Sequence, residues 1–214
     1  MRIALLNEVS QCEKNPVIYD ALSQCAFDAG HAVYNLGQTS PQEPELSYVH
    51  IGMLGFALLA SGAVDFVVSG CGTGQGVMLS LNSYPGVQCG LIYDPVEAEL
   101  FMRINAGNAV SLPYAKGFGW GGELNLRNIF EKLLGTPAGG GYPVHRAQAQ
   151  KQYAAQLKQV KASVCQAPLD ALRAVDPALM RHATAGKAVQ DCLKTFAPEN
   201  EIAKYVLALH EKND

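Results

Sequence analysis

The chain of 214 residues predicts an α/β fold, a doubly wound five-stranded parallel sheet followed by an all-helical C-terminal extension. Three observations predict it. Short runs of β-prone apolar residues alternate with segments of helical period, the pattern of parallel strands joined by right-handed helical crossovers. One run, VDFVVS over residues 64–69, leads directly into the glycine-rich turn GCGTGQG at 70–76 and then into a helix. Beyond the three glycines at 139–141 the composition turns to Ala, Gln, Lys and Leu, with no strand signal.

Taken in order, residues 3–6 form the first strand, which ends at Asn7 and Glu8. Asn15 and Pro16 read as the N-cap and first position of a helix. Its apolar residues Val17, Ile18, Ala21, Leu22, Cys25 and Ala26 recur at helical spacing until Gly30. The second strand is 31–36, and 37–45 is a loop with two prolines. An apolar helix over 46–61 ends at Gly62, and 64–69 is the third strand. A short helix over 76–84 stops at Pro85 and Gly86, before a fourth strand over 87–93. Asp94 caps a helix that runs to about Asn105, and 109–112 is the fifth strand. A last crossover helix follows the 117–122 loop and ends at Gly135. Residues 147–214 form the extension, with helices over 145–164, 168–182, 184–196 and 198–211 and breaks near Pro168, Pro177 and Pro198. This tail is expected to cover the sheet domain or a partner subunit.

Composition excludes several function classes. Charged residues are 16% of the chain and hydrophobic ones 49%, against a usual charged share of about a quarter. The chain therefore has ample core, and the scarcity of charge points to an oligomer. The net charge of −3 with no basic run argues against nucleic acid as a partner. The six cysteines, at 12, 25, 71, 89, 165 and 192, form no C-x-x-C pair, and the five histidines are scattered. No metal is expected, and the cysteines suit a reducing cytoplasm. His50 and His182 read as core or surface residues. The N-terminal apolar run is too short for a signal peptide, and none approaches the ~18 residues of a membrane span.

Chemistry concentrates at 70–76. A buried strand that ends in a glycine-rich turn and opens a helix leaves backbone N–H groups unpaired, and the helix dipole favours negative charge there. Cys71 and Thr73 stand between Gly70, Gly72, Gly74 and Gly76. A thiol in such a place serves as a base or nucleophile, or else is a small packing residue. No His and Asn pair suits a protease, so proton transfer fits better. The spacing is not that of a dinucleotide-binding turn, and no Lys-Ser/Thr follows to make a P-loop. In doubly wound sheets ligands collect at the C-terminal strand edge, which gathers Asn7, Glu8, the 70–76 turn, Tyr93 and Asp94. Glu8 binds sugar hydroxyls on one reading and is a solvated loop acid on the other. Asn105 reads as a helix-terminal residue, and Arg146 as a solvated charge or a phosphate ligand.

Over residues 70–112, GCGTGQGVMLSLNSYPGVQCGLIYDPVEAELFMRINAGNAVSL, the chain resembles the central signature of the ribose-5-phosphate isomerase B and galactose-6-phosphate isomerase family. The resemblance extends by order of elements over 1–146 and implies a Rossmann-like sheet domain. Residues 147–214 have no counterpart in a typical member. It implies a homodimer or homotetramer with sites shared at the interface. It also implies an aldose–ketose isomerisation of a phosphorylated sugar through an enediolate, without metal or cofactor. By position Cys71 is the base that moves a proton between C1 and C2. Gly70, Gly72, Thr73, Gly74 and Gly76 hold the enediolate, with Thr73 orienting an oxygen. Glu8, Tyr48 and Asn105 contact the sugar, and Arg146 binds the phosphate, reaching the neighbouring subunit's site. Three positions depart from the family. Ile104 stands where ribose-specific members have a ring-opening histidine, Val9 replaces a second histidine and Tyr142 a second phosphate arginine. An acyclic or readily opened phosphosugar is therefore expected, a tetrulose or ketohexose phosphate. The alternative is a non-catalytic or partner-dependent phosphosugar-binding subunit.

Overall fold

Strands β1 (Arg2–Asn7), β2 (Ala32–Asn35), β3 (Phe66–Cys71), β4 (Cys89–Leu91) and β5 (Ala109–Pro113) form one parallel sheet in the order β2-β1-β3-β5-β4. They are seen in a computed structural model that describes residues 1–211. The crossover helices are α1 (Asn15–Asp28), α2 (Tyr48–Ala60), α3 (Gln75–Asn82), α4 (Pro95–Leu100) and α5 (Gly122–Gly135). From β1 the chain steps outward to β2, then returns to place β3 on the other side of β1. This reversal is the switch point at which doubly wound sheets open a crevice, and Asn7 lies directly beside Gly70 there.

Alternation along the strands builds two cores. Ile3 and Leu5 of β1, Phe66 and Val68 of β3 and Val110 and Leu112 of β5 face α1 and α5. Ala4, Leu6, Val67 and Ala109 face α2 and α3. Helix α2 is buried from Ile51 to Leu58 with no polar stripe. Such a helix must be covered on both sides, and the extension supplies the second cover. The tail comprises α6 (Ala147–Val164), α7 (Pro168–Ala174), α8 (Pro177–Ala183), α9 (Lys187–Phe196) and α10 (Glu201–Glu211). Leu172, Met180, Leu193 and Val206 are fully buried in the same core as α2. Helices α7 to α10 thus complete the sheet domain's own core. Helix α6 differs. It packs on the turn at Phe101–Asn105 and leaves Tyr153, Leu157, Val160 and Val164 exposed along one face.

Several expected elements are corrected. Asn15 is not a cap. It is buried inside α1, and its carboxamide exchanges hydrogen bonds of 3.0 and 2.7 Å with that of Asn35 in β2. A 3-10 turn over Val9–Lys14 precedes α1 and is capped by Glu8, whose carboxylate accepts from Ser10 N. Strand β3 runs on through Gly70 and Cys71, because β1 and β5 offer ladder partners on both sides. The edge strand β4 is shorter than expected. The break expected near Pro177 is present and divides the 168–182 stretch into two helices, since the proline ring cannot sit in a helix interior. Asp94 does cap α4, accepting from Glu97 N at 2.8 Å. The helix to Asn105 ends in a π turn over Phe101–Asn105.

His50 and His182, read from sequence as core or surface residues, pack ring on ring with centroids 4.6 Å apart and tie α8 to the start of α2. His50 Nδ1 accepts from Ser47 N at 3.1 Å, and His182 Nε2 donates to the Glu45 carbonyl at 2.8 Å. Burial, then the neighbouring His182, holds the His50 pKa below the ordinary 6.5. His210 is lowered as well, by burial and by Arg181 and Lys194. The unfolded chain therefore binds more protons than the folded one below that value, so stability is lost as pH falls through the window beneath 6.5. His50→Gln keeps the capping box that Ser47 and His50 form and replaces its titrating partner with one that cannot titrate. It is expected to keep the stability at neutral pH and to flatten the acid-side decline, leaving the part due to His210. Urea unfolding at about pH 7 and pH 5 measures both.

Candidate active site

The turn after β3 is shaped by its glycines. Gly74 is the N-cap of α3 at φ +73°, and a Cβ there would lie 2.6 Å from Leu91 Cδ1 and 3.0 Å from the Leu112 carbonyl carbon. Only glycine takes this conformation this close to a neighbouring strand. Ser111 Oγ donates to the Gly74 carbonyl at 2.7 Å, and Tyr114 N and Ala115 N donate to the carbonyls of Cys71 and Gly72 at 2.9 and 3.0 Å. The carbonyls of Cys71, Gly72 and Gly74 are thereby occupied. The N–H groups of Gly72, Thr73 and Gly74 have no acceptor among the described residues, while Gln75 N is taken by Thr73 Oγ1 at 3.3 Å. Three adjacent free amides at a helix start form an anion cradle.

Cys71 is the residue before this cradle and is 9% exposed, the last residue of its strand. Glu8 continues β1 beside it, its N–H bonded to the Gly70 carbonyl at 3.1 Å. It is not a solvated loop acid. Only 8% of it is exposed, and one carboxylate oxygen accepts from Ser10 Oγ at 2.6 Å and Ser10 N at 3.0 Å. Tyr48 opens α2 half exposed, and a Cβ on Gly76 would lie 3.1 Å from its Cγ. The fold thus brings Glu8, Tyr48, Gly70, Cys71, Gly72, Thr73, Gly74 and Gly76 to one crevice. Chemically, a thiol beside free amides can take a proton from a carbon next to a carbonyl while the amides hold the oxygen as it gains charge. Among the described residues no three His, Cys, Asp or Glu side chains converge as metal ligands.

Asn105 and Arg146 lie elsewhere. Helix α4 begins at the C-terminal edge of the sheet and runs back, so the turn ending at Asn105 reaches the N-terminal edge. Three residues on, Asn108 Oδ1 accepts from Gln88 N at 2.8 Å, just ahead of β4. The length of β5 separates the two edges by about 13 Å. Asn105 and Ile104 line a cavity of about 420 Å3 between the sheet and α6. Arg146 is exposed on a 3-10 turn ahead of α6, in a segment bonded to the π turn after α4 through Gly141 N and the Arg103 carbonyl at 2.9 Å.

The crevice also holds residues that sequence reasoning passed over. Ser10, Gln11 and Lys14 line its β1 side, where the Lys14 ammonium donates to the Tyr114 carbonyl at 2.6 Å and to Gln11 Oε1 at 2.7 Å. Tyr114 is 1% exposed, and burial, with Cys71 adding to it, pushes its ionisation upward. The signals were a polar Ser111 inside an apolar strand and a bulky aromatic placed just past a strand end.

Known proteins were compared with this chain. The family model described as Ribose/Galactose Isomerase matches residues 3–151. A crystal structure of a ribose-5-phosphate isomerase from Vibrio parahaemolyticus is 47% identical over 98% of this chain and 99% of its own, with a TM-score of 0.95. A 4-deoxy-L-threo-5-hexosulose-uronate ketol-isomerase complexed with a tartrate is 43% identical over 99% of this chain and 100% of its own, with a TM-score of 0.96. The type B ribose 5-phosphate isomerase of Trypanosoma brucei, 21% identical with a TM-score of 0.60, covers 74% of this chain and shares the fold. Comparison with curated proteins gave no match.

Proposed function

The chain belongs to the ribose/galactose isomerase family, and on that footing we propose that it interconverts an open-chain aldose and ketose by proton transfer between adjacent carbons, with Cys71 as the base. One observation carries the reading: a thiol at the end of β3 adjoins three free amides at the start of α3. The thiolate removes the proton from the carbon beside the carbonyl. The electron pair passes to the carbonyl oxygen, and the amides of Gly72, Thr73 and Gly74 hold the resulting enediolate. The hydroxyl proton on the carbon that lost its hydrogen passes to the former carbonyl oxygen, that carbon becomes the new carbonyl, and the thiol returns its proton to the neighbouring carbon, so no atom is gained or lost. Glu8 and Tyr48 flank the crevice as ligands for sugar hydroxyls. Asn105 and Arg146 stand at the opposite edge, so a second copy presenting that edge to this crevice would complete the site. A homodimer with shared sites follows from this reading.

The substrate is an anionic sugar that needs no ring opening, since Ile104 carries no proton to move. A hexulosonate or hexosulose-uronate suits this chemistry. It reacts in its open form, and a single guanidinium such as Arg146 matches one carboxylate with two parallel hydrogen bonds. Likeness over the full length of the uronate ketol-isomerase, extension included, supports this class. The 47% identity to a ribose-5-phosphate isomerase over the same length supports a phosphosugar as the second reading. An isomerase assay on 4-deoxy-L-threo-5-hexosulose-uronate beside tetrose, pentose and hexose phosphates separates them. Turnover of the uronate at least about tenfold faster than any phosphosugar is expected, a difference worth ~1.4 kcal/mol in the transition state. Faster turnover of a phosphosugar would give the second reading. Binding without turnover of any of them would give the non-catalytic subunit.

A further inference from the structure

Gly70 cannot carry a side chain. A Cβ there would lie 2.3 Å from Tyr114 Cε2 and 2.5 Å from the Leu112 carbonyl oxygen. The Tyr114 ring therefore rests on the backbone of the residue that precedes Cys71. In the ladder, Gly70 pairs with Asn7 on one side and Leu112 on the other. Alternation puts Asn7, Gly70 and the Tyr114 ring on one face of the sheet, the face that turns Ile3, Leu5, Val68 and Leu112 toward α1 and α5. Two side-chain atoms buried on this face have no partner, Asn7 Oδ1 and the Tyr114 hydroxyl. Their residues are 0% and 1% exposed. One is an acceptor and the other a donor. Buried groups left without a partner are rare and call for a role.

We propose that the Tyr114 hydroxyl and the Asn7 side-chain oxygen, bridged by one internal water, form a positioning pair beneath Gly70 that fixes the backbone carrying Cys71. Two further anchors already hold this tyrosine. Its N–H donates to the Cys71 carbonyl at 2.9 Å, and its carbonyl accepts from the Lys14 ammonium at 2.6 Å. The hydroxyl is the third anchor, and burial keeps it protonated as a donor. Asn7 is oriented from the other side, where its Nδ2 donates to the Gln11 carbonyl at 3.4 Å. The pair ties the ends of β1, β3 and β5 together at the switch point. Its effect on catalysis rests on Cys71 being the base, whereas its effect on the turn does not.

Tyr114→Phe removes one oxygen and keeps every ring contact. The variant is expected to unfold about 2–4 °C lower, to change the alkylation rate of Cys71, followed on its own peptide by mass spectrometry, by about threefold or more, and to lower kcat about tenfold with KM held within about twofold. In the double variant with Asn7→Leu, adding Tyr114→Phe costs no further stability beyond Asn7→Leu alone, because both partners are then gone. An unchanged or raised unfolding temperature overturns the pair. A lowered temperature with unchanged Cys71 alkylation overturns its positioning role. Should the parent protein turn over none of the sugars, the isomerase reading fails, and the unfolding and alkylation results still decide the pair.

Discussion

Cys71→Ser is expected to lower kcat by about 10²–10⁴-fold, the range for removing a positioned general base, while the thermal transition stays within a few degrees of the parent. The two side chains are nearly isosteric, so the core around β3 is kept, but a hydroxyl does not ionise where a thiol does. Glu8, the carboxylate beside the end of β3, is the competing base, and the structure says how it differs. Glu8 has one oxygen committed to Ser10, where it caps the turn over Val9–Lys14. Glu8→Gln keeps an oxygen for that cap and loses only the charge. If Glu8 holds a sugar hydroxyl, the variant raises KM more than it lowers kcat. If Glu8 is the base, the pattern inverts, with Glu8→Gln inactive and Cys71→Ser within about tenfold of the parent. Initial rates on the best substrate of the panel decide between these outcomes, and the inverted pattern would remove Cys71 from the mechanism.

Much of this crevice was legible in the sequence because its parts are local. A run of β-branched residues, a glycine at every second position and an apolar helix start specify a strand, a turn and a cradle without knowledge of the rest of the chain. The same holds for the crossover helices, whose periodicity and stop signals set their limits to within a few residues. What escaped was whatever depends on neighbours distant in sequence. Asn15 has the look of a cap, and only the proximity of Asn35 in β2 turns it into a buried carboxamide pair. Glu8 looks like a loop acid until the chain folds back as a 3-10 turn over it. Tyr114 stands 44 residues after the glycine it covers, so its place just past a strand end marks the residue but not the backbone it covers. Asn105 and Arg146, assigned to the site by family resemblance, belong to an edge that a single chain keeps away from Cys71. The expectation that the tail covers the sheet domain or a partner subunit did not say which half of it would lie on α2.

That division of the tail carries the largest stability effect. Leu193 in α9 has no exposed surface and shares the core of α2 and the sheet. Leu193→Ala is expected to lower stability by about 2–5 kcal/mol, a large part of what an ordinary domain has. Deleting residues 166–214 is expected to leave no soluble folded protein, since it bares a helix buried along its whole middle. Leu157 in α6 belongs to the other half. More than half of it is exposed, so in an isolated chain Leu157→Ala should change stability by no more than about 0.5 kcal/mol. Its row of apolar neighbours, at intervals of four, three and four residues, is the spacing of a helix seam. If two copies pair through it, Leu157→Ala weakens the dimer and makes stability depend on protein concentration, while Leu193→Ala does so at no concentration beyond its effect on the fold. Urea unfolding at two protein concentrations, with sedimentation velocity on each variant, tells the two roles apart. Equal losses from both substitutions would mean that α6 and α7–α10 act as one unit, and would overturn the assignment of the tail to separate tasks.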